Sequence, residues 1–493
     1  MSVILGIDLG TSSIKAMLLD SSKGVLAVET RTYEVSIPAE GYAEQEPEIW
    51  WSETKRILNV LKEKNKEKFS DIEAIGISGQ MHGIVLADQN GVPLRPAILW
   101  LDQRSKKQLT EINSKMNDLQ MGECFGNRVF TGFAFPSLMW IRENEPDILK
   151  KVYAVMLPKD FIRYKITGEI ASDVTDASST AIFNIEKRDW AYDAIRDFGL
   201  PDNIFPKCCE STDIAGKVTS ECRKECGLKE GIPVIYGCGD QQAQSIGNGV
   251  YQEGSIISNI GTGGQISTYI SGPIYDKKLR THTFCHALDK AYTISGATLC
   301  SGMSLNWLKN KILMVNDFKE ISRMAGEIVP GCEGLIYLPY LSGERTPHMN
   351  PSAKGMFFGL TLGQDRRYLA RAVMEGVAFS LRDSLTIFSE LGIKGDTVIA
   401  SGGGAKSEEW VQIQADVFQK KVKVCEVSEQ ACLGACILAG VGTGIFPSIE
   451  EATKRFVSFR EKIYLPDSEN MVIYDVQYER FRELYKANEK FMK

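Results

Sequence analysis

The chain opens with Val3-Ile4-Leu5-Gly6-Ile7-Asp8-Leu9-Gly10-Thr11-Ser12-Ser13, an apolar run that ends in a glycine turn. The run predicts a short buried strand that reaches Asp8. A second apolar run, residues 14–19, follows the turn, so the pattern predicts a β-hairpin. A dinucleotide-binding fingerprint needs a helix after its first strand, and the hairpin therefore argues against that kind of site.

The same pattern returns later in the chain. Residues 255–260 and 265–270 are strand-like and flank the turn Gly261-Thr262-Gly263-Gly264. Strand-like and helix-like segments alternate around both hairpins. We therefore predict an α/β protein built by internal duplication, with two lobes and a cleft between them.

Length and composition limit the classes of protein. The 493 residues correspond to about three domains of about 150 residues each. The net charge is −6 and no Lys/Arg-rich run with interleaved aromatics occurs, so we expect no nucleic-acid partner. Twelve cysteines without a C-x-x-C spacing exclude a zinc ribbon. Asp8 interrupts the first apolar run, so we predict no signal sequence and expect a cytoplasmic protein without a membrane partner.

Three glycine turns favour a nucleotide as ligand. They lie at Gly10, at residues 261–264 and at residues 402–404. Such turns direct several backbone N–H groups at one anionic oxygen, and nearby hydroxyls and Lys15 add further donors. The usual P-loop is absent, because Val218 follows the Gly216-Lys217 pair where Ser or Thr is required.

Two carboxylates and one histidine are candidates for chemistry. Asp8 ends its strand just before the first glycine turn, where a carboxylate can hold Mg²⁺ directly or through water. Asp240 follows a strand and is preceded by Gly239, which permits close approach of a substrate. His82 lies in Gly79-Gln80-Met81-His82-Gly83, a loop suited to a small polar ligand.

Further local predictions concern helices and one ion pair. Apolar spacing predicts helices at residues 140–151, 369–385 and 407–419 and a solvated closing helix at 478–493. The uncharged residues 430–449 predict a buried helix of about ten residues followed by a glycine-rich loop. We expect Arg345, in an ordered loop, to form an ion pair.

Six strings together resemble the FGGY family of carbohydrate kinases over nearly the whole chain. The strings are Gly6-Ile7-Asp8-Leu9-Gly10-Thr11-Ser12, Gly79-Gln80-Met81-His82-Gly83, Leu99-Trp100-Leu101-Asp102-Gln103-Arg104, Leu157-Pro158-Lys159-Asp160, Tyr340-Leu341-Ser342-Gly343-Glu344-Arg345-Thr346-Pro347-His348 and Ser401-Gly402-Gly403-Gly404-Ala405. The first string is shared widely among actin-like ATPases, whereas the second and the fifth are much more specific.

The resemblance implies a fold and a division of the chain. The implied fold is the two-lobed actin-like (ribonuclease H-like) ATPase fold, with duplicated domains whose cleft brings ATP and sugar together. The implied domains are an N-terminal FGGY-type domain at 1–247, a C-terminal FGGY-type domain at 248–445 and a helical tail at 446–493 packed on the fold.

The resemblance also implies roles for individual residues. Asp240 would be the base that removes the proton from the sugar's terminal hydroxyl, and Asp8 would serve the Mg²⁺–phosphate assembly. Met81, His82 and Gln241 would contact the sugar. The residues implied for the ATP site are Thr11, Ser12, Ser13, Lys15, Gly261, Thr262, Gly263, Gly302, Trp307, Gly403 and Gly404.

Within the family, the second and fifth strings are most similar to members that phosphorylate D-xylulose. Gln241 departs from the Asn that often follows the catalytic Asp in those members and is similar to the glycerol-specific ones. Met81-His82 stands where those have an Arg-Glu pair, which argues against glycerol. L-ribulose, L-fuculose, gluconate and glycerol stay open as alternative substrates. A non-kinase actin-like ATPase stays open as an alternative function, and a homodimer as the oligomeric state.

Overall fold

The computed structural model of the chain describes residues 2–492. The strands are β1 (Val3–Leu9), β2 (Ser13–Asp20), β3 (Gly24–Thr32), β4 (Glu44–Gln45), β5 (Ile72–Gly79), β6 (Val85–Ala87), β7 (Ala97–Ile98), β8 (Ala154–Met156), β9 (Ser172–Asp173), β10 (Phe183–Asn184), β11 (Asp189–Trp190), β12 (Cys208–Cys209), β13 (Ile214–Lys217), β14 (Pro233–Ile235), β15 (Cys238–Gly239), β16 (Gly254–Ile260), β17 (Gly264–Ile270), β18 (His282–Cys285), β19 (Tyr292–Thr298), β20 (Ile336–Leu338), β21 (Met356–Phe358), β22 (Gly395–Gly402) and β23 (Lys421–Val424).

Helices connect and cover these strands. They are α1 (Pro47–Lys64), α2 (Lys66–Ser70), α3 (Lys106–Lys115), α4 (Asp118–Phe125), α5 (Ala134–Asn144), α6 (Pro146–Leu149), α7 (Pro158–Thr167), α8 (Val174–Ser178), α9 (Tyr192–Asp197), α10 (Ser220–Cys226), α11 (Asp240–Gly247), α12 (Gly302–Trp307), α13 (Phe318–Gly326), α14 (Arg366–Glu390), α15 (Glu408–Phe418), α16 (Gln430–Gly442), α17 (Ile449–Phe456) and α18 (Ser468–Asn488).

Each predicted hairpin lies at the centre of its own sheet. The first sheet has the order β13-β14-β5-β1-β2-β3, with β15 also paired to β5, and the second has the order β18-β19-β17-β16-β22-β23. In both, the hairpin is antiparallel and its first strand pairs in parallel with a later strand, β5 or β22. The predicted duplication is therefore confirmed, and the chain is an α/β protein with two similar sheets.

Helix α16 joins the later part of the chain to the first sheet. Its uncharged sequence is buried from Ala431 to Gly440, as predicted for this stretch. Two glycines permit its close packing: a Cβ at Gly76 of β5 would lie 2.0 Å from the carbonyl oxygen of Ala435, and one at Gly434 would lie 1.9 Å from that of Ala243. Backbone contact at both points holds α16 against β5 and α11.

Two predictions about helices are wrong in part. The helix expected at 140–151 runs over Ala134–Asn144 and is followed by a separate short helix at Pro146–Leu149. The break precedes Pro146, because proline lacks an N–H and restricts the residue before it. The closing helix begins at Ser468 and is only half solvated, since Tyr474, Tyr478, Phe481 and Tyr485 are buried along one face.

The predicted helices at 369–385 and 407–419 correspond to α14 and α15. The Ser407 hydroxyl accepts the backbone N–H of Trp410 at 3.2 Å and caps α15.

No helix within residues 2–492 has both the length and the apolar character needed to cross a membrane.

Candidate active site

Asp8 and Asp240 lie on either side of β5, at one end of the first sheet. Asp8 in β1 is the register partner of Ser78, and Cys238 in β15 pairs with the same serine from the other side. Asp240 is the first residue of α11, directly after β15. Because β1, β5 and β15 run in parallel, their carboxyl ends bring these two distant carboxylates to one edge.

Both carboxyl groups have raised pKa values. Burial is the main cause for Asp240, and the negative charge of Asp8 adds to it, so that its pKa is raised to about 7. Burial also raises the pKa of Asp8, although the Ser78 hydroxyl donates to its Oδ1 at 2.8 Å and Lys15 lies near. A carboxyl group with a pKa near 7 suits general base catalysis at neutral pH.

His82 is held by Ser179 in a defined tautomer. The backbone φ of His82 is 72°, and its backbone N–H donates to the Ser179 hydroxyl at 3.2 Å. The ring Nδ1 lies 2.7 Å from the carbonyl oxygen of Ser179. Since a carbonyl only accepts, Nδ1 carries the proton and Nε2 can accept from a ligand hydroxyl. Burial lowers the pKa of His82 to about 4, so the ring is neutral.

Met81 lies beside the residue that precedes Asp240. It is buried, and a Cβ at Gly239 would lie only 2.8 Å from its Cγ. The structure therefore brings together Met81 and Asp240, which are far apart in sequence. Near them, the Gln241 Oε1 and both amide atoms of Gln242 are buried without a hydrogen-bond partner in residues 2–492.

A buried polar network beneath Asp240 was missed by the sequence analysis. The Thr175 hydroxyl oxygen accepts the backbone N–H of Gly239 at 2.8 Å and donates to Asp173 Oδ2 at 2.6 Å. Lys159 Nζ lies 2.7 Å from Asp173 Oδ1 and 2.7 Å from Asp160. The network fixes the start of α11, and the only sequence signal for it was the Leu157-Pro158-Lys159-Asp160 string.

The first glycine turn presents hydroxyls but not a free lysine. Gly10 N–H donates to the carbonyl oxygen of Ser13 at 2.9 Å and closes the turn, while Ser12 is exposed. The Thr11 hydroxyl oxygen accepts from Trp100 Nε1 at 2.9 Å. Lys15 Nζ lies 2.5 Å from Glu429 Oε2, so its charge is already paired.

The other two glycine turns line a cavity of about 1110 Å³ in the second half of the chain. Gly302 N–H donates to the carbonyl oxygen of Gly261 at 3.0 Å, which joins the second turn to α12. Of the residues implied for the ATP site, those that line this cavity are Gly261, Thr262, Gly302, Gly403 and Gly404. Its size suits a nucleotide.

The four implied residues of the first glycine turn do not line this cavity, and neither do two implied residues from the second half of the chain, Gly263 and Trp307. Gly263 lies behind the turn, where its carbonyl oxygen accepts the N–H of Gly261 at 2.9 Å. Trp307 lies with its ring 6.4 Å from that of Tyr337, at an interplanar angle of 11°. Their roles at the nucleotide stay predictions.

An aromatic cluster lies next to His82 and was not predicted from the sequence. We define it as Phe130, Phe133, Phe284, His82 and His282. His82 stacks on Phe133 at 4.2 Å between ring centroids, and His282 lies 5.5 Å from Phe130 and 5.8 Å from Phe284. Burial lowers the pKa of His282 to about 3, so both histidines are neutral. The five rings come from three separate segments, and each alone resembles an ordinary core residue.

The expected ion pair of Arg345 is not formed. Within residues 2–492 its guanidinium has no carboxylate within 4.0 Å and makes no hydrogen bond. It lies over the ring of Phe130 at 5.3 Å. The neighbouring carboxylate of Glu344 instead accepts the N–H groups of Leu299 and Arg345 at 2.9 and 2.7 Å. Backbone donors thus occupy the carboxylate next to Arg345 in the sequence.

The donors near Asp8 suit Mg²⁺ coordinated partly by ligands from outside the chain. No three His, Cys, Asp or Glu side chains gather into a metal site in the part of the chain that the structure describes. Asp8 uses one oxygen for the Ser78 hydroxyl, which leaves the other available. One carboxylate completed by phosphate oxygens and water is an arrangement that Mg²⁺ commonly adopts.

Comparisons with known proteins point to one family. Residues 3–247 match the model of the N-terminal domain of the FGGY family of carbohydrate kinases, and residues 258–443 match that of its C-terminal domain. A xylulose kinase of Lactococcus lactis is 36% identical over 487 residues, which cover 99% of this chain and 97% of that protein. A gluconokinase of Bacillus subtilis is 31% identical over 479 residues, or 95% and 93% of the two chains.

A solved structure extends this likeness to the fold. The crystal structure of a "xyloylose kinase" from Brucella ovis superposes with a TM-score of 0.94 and 31% identity, and the match covers 99% of this chain and 100% of that one. The two sheets and their hairpins therefore belong to the two-lobed actin-like fold that the family resemblance implied.

Proposed function

The chain belongs to the FGGY family of carbohydrate kinases, and on that premise we propose that it transfers the γ-phosphoryl group of ATP to the terminal hydroxyl of D-xylulose. As a member of this family it is an ATP-dependent carbohydrate kinase. The choice of D-xylulose is supported by the xylulose kinase relative and by the Met81-His82 pair. The product is D-xylulose 5-phosphate.

One observation carries the proposed chemistry: the carboxyl group of Asp240, with its pKa raised to about 7, stands at the edge of the sheet near Asp8. Asp240 accepts the proton of the O5 hydroxyl as O5 attacks the γ-phosphorus. The new O5–P bond forms while the bond between that phosphorus and the β–γ bridging oxygen breaks, and ADP leaves. A base of this kind contributes about 10²–10⁴-fold in rate.

Positioning contributes more than proton transfer. Phosphoryl transfer has a loose transition state, so alignment of O5 with the γ-phosphate and neutralisation of charge dominate. Such alignment is worth roughly 7–11 kcal/mol. Thr11, Ser12 and the turns at Gly261 and Gly403 supply donors to the phosphates, while Asp8 holds Mg²⁺, which when bound neutralises phosphate charge.

Sugar recognition begins at His82. Its Nε2 accepts a hydrogen bond from a hydroxyl, because Nδ1–H is committed to Ser179. The stacked ring of Phe133 holds the imidazole plane, and the buried cluster around it excludes water from the acceptor site. Exclusion matters because water is itself a competent phosphoryl acceptor.

A second substrate is favoured by one specific observation. The guanidinium of Arg345 has no acidic partner within residues 2–492, and a guanidinium matches a carboxylate in a two-pronged geometry. Gluconate carries a carboxylate, and the Bacillus subtilis relative is a gluconokinase. Gluconate is therefore the alternative acceptor to be measured beside D-xylulose.

The test is ADP release in a coupled assay with Mg-ATP and D-xylulose, L-ribulose, L-fuculose, gluconate or glycerol. A reaction without sugar measures ATP hydrolysis, and the Asp240→Asn variant controls for contaminating kinases. We expect the highest kcat/KM for D-xylulose. A higher value for another acceptor would replace the substrate, and release that does not depend on any sugar would contradict the kinase assignment.

A further inference from the structure

Arg345 is an unpaired charge at the edge of the aromatic cluster. Its guanidinium carbon lies 5.3 Å from the ring centroid of Phe130, which itself lies 5.5 Å from His282. The side chain is neither fully buried nor fully exposed. Partial burial lowers the pKa of the guanidinium, and its nitrogens have no acceptor within residues 2–492. Such a residue calls for a functional explanation.

None of the neighbouring groups can serve as its permanent partner. Glu344 accepts two backbone N–H groups, and burial raises its pKa to about 8, so at neutral pH it carries little negative charge. His82 and His282 are neutral, and the positive charge of Arg345 contributes to lowering both of their pKa values. The guanidinium therefore faces neutral rings, and its donors are available to a neutral, oxygen-rich ligand.

Arg345 and Asp240 are linked to different members of the Met81-His82 pair. Arg345 lies over Phe130, whose ring centroid is 5.9 Å from that of Phe133, the ring on which His82 stacks. Asp240 directly follows Gly239, on which Met81 packs. A sugar that contacts Met81 and His82 with its terminal hydroxyl at Asp240 can therefore direct its other end to Arg345.

We propose that Arg345 is a specificity-determining residue that donates hydrogen bonds to the C2 carbonyl oxygen and the C1 hydroxyl oxygen of the ketose. This inference rests on the proposed function, because it requires O5 to face Asp240. Arg345 belongs to the loop after β20, in the second half of the chain, whereas Asp240 follows the first sheet. The ketose thus contacts both halves of the chain: Asp240 of the first half binds its O5 end, and Arg345 of the second half binds its C1–C2 end.

The experiment crosses two variants with two substrates. Arg345→Gln removes the charge and the two-pronged donor, while Arg345→Lys keeps the charge and loses the planar geometry. The substrates are D-xylulose and 1-deoxy-D-xylulose, which lacks the C1 hydroxyl. Arg196→Gln is the control, since Arg196 is an exposed surface arginine paired with Asp193. ADP affinity and the melting temperature report on folding.

We expect Arg345→Gln to lower kcat/KM for D-xylulose by about tenfold to a hundredfold, as for loss of a charge-assisted hydrogen bond. The loss should fall mainly on KM, because the contact is remote from the reacting atoms. For 1-deoxy-D-xylulose the loss should be clearly smaller, because one acceptor is already missing. Arg345→Lys should be intermediate, and Arg196→Gln should match the wild type.

Two results would overturn the inference: an Arg345→Gln variant with unchanged kcat/KM, or equal losses for both ketoses. If neither variant folds, equal kcat/KM of the wild type for the two ketoses would also overturn it. Absence of any D-xylulose turnover by the folded wild-type enzyme would instead contradict the proposed function. The two failures are therefore distinguishable.

Discussion

Asp8 acts on Asp240 across β5: together with burial, its negative charge raises the pKa of the Asp240 carboxyl to about 7. This relationship couples the residue assigned to the phosphates with the residue assigned to the sugar. Removal of the negative charge of Asp8 should therefore change the pKa of Asp240.

The first prediction concerns the pH profile. Because Asp240 acts as a base only when ionised, kcat/KM for D-xylulose should fall as pH drops below about 7. Asp8→Asn removes a negative neighbour and should lower the pKa of Asp240, so its residual activity should fall at a lower pH. If kcat/KM falls at the same pH in the wild type and in Asp8→Asn, Asp8 does not act on the pKa of Asp240.

The second prediction concerns turnover. Asp240→Asn keeps the size of the side chain but cannot accept the O5 proton, so kcat should fall by about 10²-fold or more. ADP affinity, measured by calorimetry, should stay near that of the wild type because the cavity lined by Gly261 and Gly403 is untouched. An unchanged kcat would remove Asp240 from the mechanism.

The third prediction concerns stability. The folded-state pKa of Asp240, about 7, lies above the value of 3.8 for an unburied Asp. The unfolded chain therefore releases this proton more readily, and the group destabilises the fold increasingly from about pH 4 to pH 7. Asp240→Asn should raise the melting temperature most above pH 7 and least near pH 4. A gain that does not depend on pH would contradict the raised pKa.

The fourth prediction concerns Thr175 as a positioning residue. Thr175→Val leaves the Gly239 N–H without its partner and removes one of the three donors to Asp173 Oδ2, at a cost of about 1–3 kcal/mol in unfolding free energy. Displacement of Asp240 should also lower kcat by roughly tenfold or more. It should also change the pH below which the rate falls. Thr175→Ser keeps the hydroxyl and should restore both properties. Loss of stability without loss of kcat would leave Thr175 a purely structural role.

Local pattern was enough to predict the two hairpins. The turns at Gly10 and at Gly261 are flanked by apolar runs, and the strand pairing follows from that alternation. The convergence of Asp8, Met81 and Asp240 was expected only through the family resemblance, because no spacing in the sequence encodes a contact between parallel strands. The structure now brings these residues to one edge.

The features that were missed depend on tertiary contacts. Phe133 and Phe284 look like core residues in the sequence, and only the fold places them against His82 and His282. The ion pair expected for Arg345 does not form, and the adjacent Glu344 carboxylate accepts backbone N–H groups. Adjacent residues in the sequence do not show whether a carboxylate will bind a side chain or backbone N–H groups.

The most direct test of the account is the position of the phosphate in the product. The account has O5 at Asp240 and the C1–C2 end at Arg345, so proton–phosphorus correlation NMR of the D-xylulose product should connect the phosphorus to the C5 protons. A correlation to the C1 protons would reverse the orientation of the sugar. A reaction that yields ADP without any sugar phosphate would contradict phosphoryl transfer itself.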